Sequence, residues 1–92
     1  MNGERRRTRV VVHGDVQGVF FRDATRSEAD SQGVAGWVTN RDDGAVEAVF
    51  EGEPGAVQAM VDFCRSGPSK ADVENVEVED QEPEGGSGFE VR

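Results

Sequence analysis

The sequence predicts an α+β fold in which two helices pack on one face of an antiparallel sheet of four to five strands. Valine-rich and alternating segments predict strands, and two segments with helical periodicity lie between them. Their order along the chain is β-α-β-β-α-β, with a short strand at the end. This order is that of the ferredoxin-like split β-α-β sandwich, and 92 residues suffice for one such domain.

The first half of the chain carries two strands joined by a helix. Residues 8–13 are rich in valine and predict a buried strand that ends at Gly14. Residues 19–32 predict a helix, which Gly33 stops. The weak apolar face of this helix consists of Phe21, Thr25, Ala29 and Gln32. Residues 34–40 predict the second strand.

The second half begins with a hairpin and continues with the clearest helix. The Arg-Asp-Asp-Gly stretch at 41–44 is a turn signal, and residues 46–51 alternate as a third strand. Pro54 suits the first turn of a helix that residues 66–68 close. The apolar residues that recur at helical spacing are Val57, Met60, Val61 and Cys64.

The two ends of the chain differ in character. A strand is predicted around Val76 and Val78, with Glu77 and Glu79 facing outward, and a short strand follows at 89–92. Residues 1–7 contain three consecutive arginines and no apolar side chain after Met1. We therefore expect a flexible basic tail at 1–7 and one folded domain at 8–92.

Charge excludes some classes of protein. The formal net charge is -9, which argues against a surface that neutralises nucleic-acid phosphates. Residues 1–45 are balanced, with seven basic and seven acidic side chains, whereas residues 46–92 hold three basic and twelve acidic ones. Such an excess of carboxylates, with Lys70 as the sole lysine, suggests a protein adapted to concentrated salt, where self-repulsion is screened. An ordinary acidic protein of a mesophile stays open as the alternative.

Cysteine content and hydropathy suggest a cellular setting. The single cysteine, Cys64, cannot form an internal disulfide, and no segment resembles a signal peptide or a membrane span. We therefore expect a soluble cytoplasmic monomer that has neither nucleic acid nor membrane as a partner.

The loop between the first strand and the first helix suits an anion. Its sequence at 14–19 is Gly-Asp-Val-Gln-Gly-Val, and the two glycines let main-chain N–H groups turn toward a common point. A helix that begins there adds unpaired donors and the positive end of its dipole. Arg22, one turn into the helix, has a planar fork that can hold two phosphate oxygens. A turn that binds nothing, with Arg22 on the surface, stays open on these residues alone.

Topology predicts a partner for this loop. Strands joined by a helical crossover run parallel, so the first two strands should deliver their carboxyl ends to the same edge of the sheet. The loop leaves the first strand there, and Asn40 ends the second. Asn40 should therefore lie near Arg22.

Two motifs at this spacing resemble the acylphosphatase family. Residues 14–22, Gly-Asp-Val-Gln-Gly-Val-Phe-Phe-Arg, are similar to that family's G-x-V-Q-G-V-x-(F/Y)-R signature. Residues 36–47, which begin Gly-Trp-Val-Thr-Asn, are similar to its G-W-V-x-N-x-x-D-G-x-V-E segment. The resemblance covers residues 8–92.

This resemblance implies an enzyme that uses neither metal nor cofactor and hydrolyses small acyl phosphates to carboxylate and inorganic phosphate. It implies that Arg22 and Asn40 are the catalytic residues, with Asn40 orienting the attacking water. The residues implied to bind the phosphate, mainly through their amides, are Asp15, Val16, Gln17, Gly18, Val19 and Arg22. A non-catalytic module that binds phosphate or carbamoyl phosphate, and an RNA-binding or regulatory module on the same fold, stay open as alternatives.

Three further features have simpler structural explanations. Cys64 lies on the apolar face of a helix, which favours packing over reactivity. His13 ends a strand, where a passive role is more common than a catalytic one. Asp42 and Asp43 flank a glycine turn and lack the further ligands that a metal site needs.

Overall fold

A computed structural model describes residues 4–92 and contains the predicted order of elements. The helices and strands are β1 (Arg6–Asp15), α1 (Phe21–Gln32), β2 (Ala35–Asn40), β3 (Val46–Gly52), α2 (Pro54–Ser66), β4 (Asp72–Gln81) and β5 (Phe89–Val91). Each predicted element is present, although β1 and β4 are longer than expected and α1 begins two residues later.

The five strands form one sheet in the order β4-β1-β3-β2-β5. β1 is antiparallel to β3 and β4, and β2 is antiparallel to β3, so β1 and β2 are parallel with β3 between them. β5, however, is parallel to β2, so the predicted antiparallel sheet is mixed at this edge. The reason is that β4 ends at the end of the sheet where β2 begins. The chain crosses the sheet there before it enters β5, so β5 runs beside β2 in the same direction.

Both helices pack on the same face of the sheet through their apolar sides. All four residues predicted on α2 are buried, whereas on α1 the buried stripe ends at Ala29 and Gln32 is exposed. Thr25 is buried within α1 because its hydroxyl donates to the main-chain oxygen of Phe21 at 2.7 Å. Across residues 4–92, neither helix is long and apolar enough to cross a membrane.

The predicted tail is wrong at Arg6 and Arg7, which belong to β1 and pair with Gly52 and Glu51 of β3. Met1 to Gly3, the first part of that tail, lie outside the described residues. The acidic second half of the chain explains the difference. Carboxylates from β3 and β4 lie beside these arginines, so the charges that suggested fraying are instead paired.

Glu51 is the centre of this pairing, and its side chain is 1% exposed. Its two carboxylate oxygens accept four hydrogen bonds: from Arg5 Nε at 3.0 Å, Arg7 Nη1 at 3.1 Å, and the amides of Glu84 and Gly85 at 2.9 and 2.7 Å. Burial alone would raise the pKa of Glu51, but these bonds outweigh it and lower the pKa to about 2. Glu51 therefore fixes both the start of β1 and the loop that leads to β5.

Candidate active site

The loop after β1 needs glycine at two positions for different reasons. At Gly14, where φ is +133°, a Cβ atom would lie 2.2 Å from the main-chain oxygen of Asp72, so only glycine lets β4 approach. Gly18 has open space around it, but its φ of +75° lies in the left-handed region. The loop thus turns sharply between a closely packed start and an open end.

Two side chains anchor the loop. Val16 is fully buried in the core. The Gln17 side chain donates from Nε2 to the main-chain oxygens of Arg41 and Ala45, at 2.8 and 2.9 Å. Gln17 therefore ties the loop to the turn that follows Asn40. The sequence predicted only that the main-chain amide of Gln17 would face a phosphate. The polar side chain between Val16 and Gly18 is the feature of the sequence that could have indicated this anchoring role.

Helix α1 begins directly after the loop. Phe20 is its N-cap residue, with φ 60° and ψ 26°, and makes no side-chain capping hydrogen bond. The first amides of a helix have no partner within the helix, and they carry the positive end of its dipole. The start of α1 therefore favours a negatively charged ligand.

Arg22 lies in the first turn of α1, and the end of the chain fixes its position. Its Nη1 atom donates to the main-chain oxygen of Arg92 at 2.8 Å. Arg92 is itself held by β2, because its amide donates to the oxygen of Val38 at 2.8 Å and its guanidinium lies 4.9 Å above the centre of the Trp37 ring. One edge of the Arg22 guanidinium is thus occupied, and its remaining donors can serve a ligand.

Arg22 and Asn40 meet at one cleft of about 270 Å³. Asn40 is the last residue of β2, pairs with Val46 and is half-buried. The cleft is lined by Val16, Gly18, Phe20, Phe21, Arg22, Asp23 and Asn40. The parallel strands therefore bring the two proposed catalytic residues together, as topology predicts.

The other predicted loop residues lie around the cleft rather than along its wall. Asp15 is exposed and pairs with Asp72 at the end of β1. Val19 is partly buried against the core, and the side chain of Gln17 points to the turn. Three lining residues were not singled out for the site by the sequence, namely Phe20, Phe21 and Asp23. The exposure of Phe20 could not be foreseen, because phenylalanine is usually buried.

The residues for which the sequence favours a structural role do not line the cleft. Cys64 is fully buried, and burial raises the pKa of its thiol to about 12. His13 Nε2 lies 2.5 Å from a carboxylate oxygen of Glu77 on β4. The amide of Ala45 and the guanidinium of Arg41 bind Asp43 and lower its pKa, as expected for a turn aspartate. Residues 4–92 contain no group of three His, Cys, Asp or Glu side chains placed to hold a metal ion.

The sequence of this chain from residue 8 to residue 91 matches the family described as Acylphosphatase. The chain belongs to the acylphosphatase family. An acylphosphatase of Rubrobacter xylanophilus is 59% identical to it over 90 residues, which are 97% of this chain and 82% of the relative. An acylphosphatase of Haloarcula marismortui is 58% identical over 86 residues, 94% of each chain.

Solved structures agree with this assignment. The structure of an acylphosphatase from Coxiella burnetii is 39% identical and superposes with a TM-score of 0.91, covering 96% of this chain and 93% of that one. The acylphosphatase fold thus extends over nearly the whole chain, including the loop that carries Arg22 and the strand that ends at Asn40.

Proposed function

We propose that this acylphosphatase hydrolyses the carboxyl-phosphate bond of small acyl phosphates in the cleft between the loop at 15–19 and Asn40. The observation that carries the proposal is that Arg22 and Asn40 line the same cleft at the start of α1. A non-catalytic phosphate-binding module is not favoured, because the relatives at 58–59% identity are named acylphosphatases and this chain spans 82–94% of their lengths.

The phosphoryl group is held by two kinds of donor. The main-chain amides of the loop at 15–19, of which Val16 and Gly18 line the cleft, and the first turn of α1 supply uncharged donors. Arg22 supplies positive charge through the nitrogens that Arg92 leaves free, and its planar fork matches two phosphoryl oxygens. These groups stabilise the charge that the equatorial oxygens carry in the transition state.

Asn40 orients the attacking water through its amide. The water oxygen forms a bond to phosphorus in line with the bond that breaks, and the carboxylate leaves with the bonding electron pair. A proton of the water passes to a phosphate oxygen, so the products are a carboxylate and inorganic phosphate. A carboxylate leaves without protonation, and the reaction therefore depends on positioning and charge stabilisation rather than on a strong general acid.

Phosphate release from acetyl phosphate and benzoyl phosphate tests this proposal. We expect the wild-type protein to hydrolyse both and Arg22→Gln to lose roughly 10³-fold in kcat/KM, the scale of removing a charge-stabilising arginine. Arg26→Gln is the matched control, since Arg26 lies one turn further along α1, is 58% exposed and faces Asp30 at 3.8 Å. Equal activity of the folded Arg22→Gln and Arg26→Gln proteins would reject the role of Arg22.

We also propose a cellular location, an oligomeric state and a salt adaptation for the enzyme. We infer that it acts in the cytoplasm as a monomer, without nucleic acid, and that its acidic surface is adapted to concentrated salt. The net charge of -9 and the burial of its sole thiol support this view. Light scattering at low and molar KCl measures the molecular mass, and a dimer in both conditions would reject the monomer.

A further inference from the structure

Phe20 is the most exposed large apolar side chain in the described part of the chain. It is 77% exposed, and the other such residue, Val78 on β4, is 39% exposed. A single exposed apolar side chain is common on protein surfaces and needs no function by itself. The position of Phe20, however, has two further properties.

The backbone of Phe20 does not suit phenylalanine. Its φ of +60° makes it the one residue other than glycine with positive φ among residues 4–92. Glycine, asparagine and aspartate adopt this region most readily, and asparagine can also cap a helix through its side chain. Phe20 occupies the N-cap of α1 without capping it. Neither local conformation nor capping therefore explains the aromatic ring.

Phe20 lines the cleft together with Arg22 and Asn40. Those two side chains present polar groups, which suit the phosphoryl oxygens and water but not the apolar part of an acyl group. Val16 and Phe21, the other apolar residues of the cleft, are no more than 2% exposed. Phe20 is thus the apolar surface that remains available to the part of the substrate that projects from the phosphate site.

We propose that the Phe20 ring contacts the acyl group and makes this enzyme prefer acyl phosphates with an aromatic or bulky apolar group. The inference rests on the proposed function of the cleft and names the substrate class that the cleft selects. The contact is made in the bound substrate as well as in the transition state, so it lowers KM more than it raises kcat.

Substitutions at Phe20 test the preference through the ratio of kcat/KM for benzoyl phosphate to that for acetyl phosphate. We expect Phe20→Asn to lower this ratio by about 3- to 10-fold, mainly through KM for benzoyl phosphate, the scale of one aromatic contact. Phe20→Tyr keeps the ring and should retain the ratio. Val78→Thr, a change at the other exposed apolar residue, should also retain it. Asparagine suits the backbone at this position, so Phe20→Asn should melt no lower than the wild type.

The wild-type enzyme provides a measurement that needs no variant. Benzylphosphonate should inhibit hydrolysis of acetyl phosphate about 3- to 10-fold more strongly than methylphosphonate does. Equal inhibition by the two phosphonates would overturn the proposal. So would an unchanged ratio of kcat/KM for benzoyl phosphate to that for acetyl phosphate in Phe20→Asn, which includes the case of an equal loss of kcat/KM for both substrates. Failure of the wild type to hydrolyse either acyl phosphate would instead reject the function of the cleft.

Discussion

Gln17 and Arg41 are joined by a hydrogen bond of 2.8 Å, in which the side-chain amide of the loop residue donates to a main-chain oxygen in the turn after β2. A second bond from the same nitrogen reaches Ala45 at 2.9 Å. The loop at 15–19 and the strand that ends at Asn40 are separate in sequence, and β3 lies between β1 and β2 in the sheet. Gln17 therefore fixes the distance between the two sides of the cleft.

Gln17→Leu should separate the two sides without removing a group that touches the substrate. Both oxygens keep another partner, since Arg41 O accepts from Gly44 and Ala45 O accepts from Arg41. We therefore expect a loss of only about 1–2 kcal/mol in unfolding free energy, with a fall in kcat of roughly 10-fold from misplacement of the water relative to the phosphoryl group. Urea unfolding and phosphate release measure the two effects. Gln32→Leu, on the exposed side of α1, should change neither, and a wild-type kcat in Gln17→Leu would contradict the prediction.

Asn40→Ala should lose roughly 10²- to 10³-fold in kcat, since a positioning group is removed from the transition state. Asn40→Asp should recover little of this loss, because a carboxylate repels the phosphoryl oxygens although it has the same shape. Steady-state kinetics with acetyl phosphate measures both. Asn75→Ala, at an exposed position on β4, is the control and should retain activity; comparable losses in Asn40→Ala and Asn75→Ala would show that Asn40 has no special role.

The lowered pKa of Glu51 should make the unfolding free energy of the protein depend on pH. Its pKa is about 2 in the folded protein and near 4.5 when unfolded, so its contribution is present above pH 4.5 and is lost as pH falls toward 2. We expect Glu51→Gln to lower the unfolding free energy at pH 7 by roughly 1–3 kcal/mol, and the difference from wild type to shrink toward pH 3. Urea unfolding between pH 7 and pH 3 measures this. Glu74→Gln, an exposed change on β4, should follow the wild-type pH dependence, and a constant difference for Glu51→Gln would oppose the assignment.

Salt should raise stability and weaken substrate binding. Residues 72–84 contain seven acidic side chains and no basic one, and most of them lie on the exposed edge strand β4. Screening of their repulsion should raise the melting temperature by several degrees between low and molar KCl, while KM for acetyl phosphate rises because the attraction of Arg22 is screened. The double variant Glu74→Gln with Glu82→Gln should show a smaller rise in melting temperature. A midpoint that does not respond to KCl would remove the case for salt adaptation.

The parts of this structure that could be predicted depend on local pattern or on general topology. Helix α2 follows from the spacing of Val57 and its apolar neighbours, and the meeting of Arg22 with Asn40 follows from the direction of strands joined by a crossover. The hydrogen bond from Arg22 to Arg92 could not be foreseen, because it requires β5 to lie parallel to β2 in one register. Nor could the burial of Glu51, which depends on arginines and amides from distant segments.

The burial of Cys64 has a practical consequence for following this protein in solution. The chain contains one thiol, which lies inside the packed face of α2 with its pKa raised to about 12. A disulfide reagent reacts with thiolate, so its reaction with the native protein must wait until the helix detaches from the sheet. The rate at which such a reagent develops colour therefore measures how fast the domain opens, without any added label.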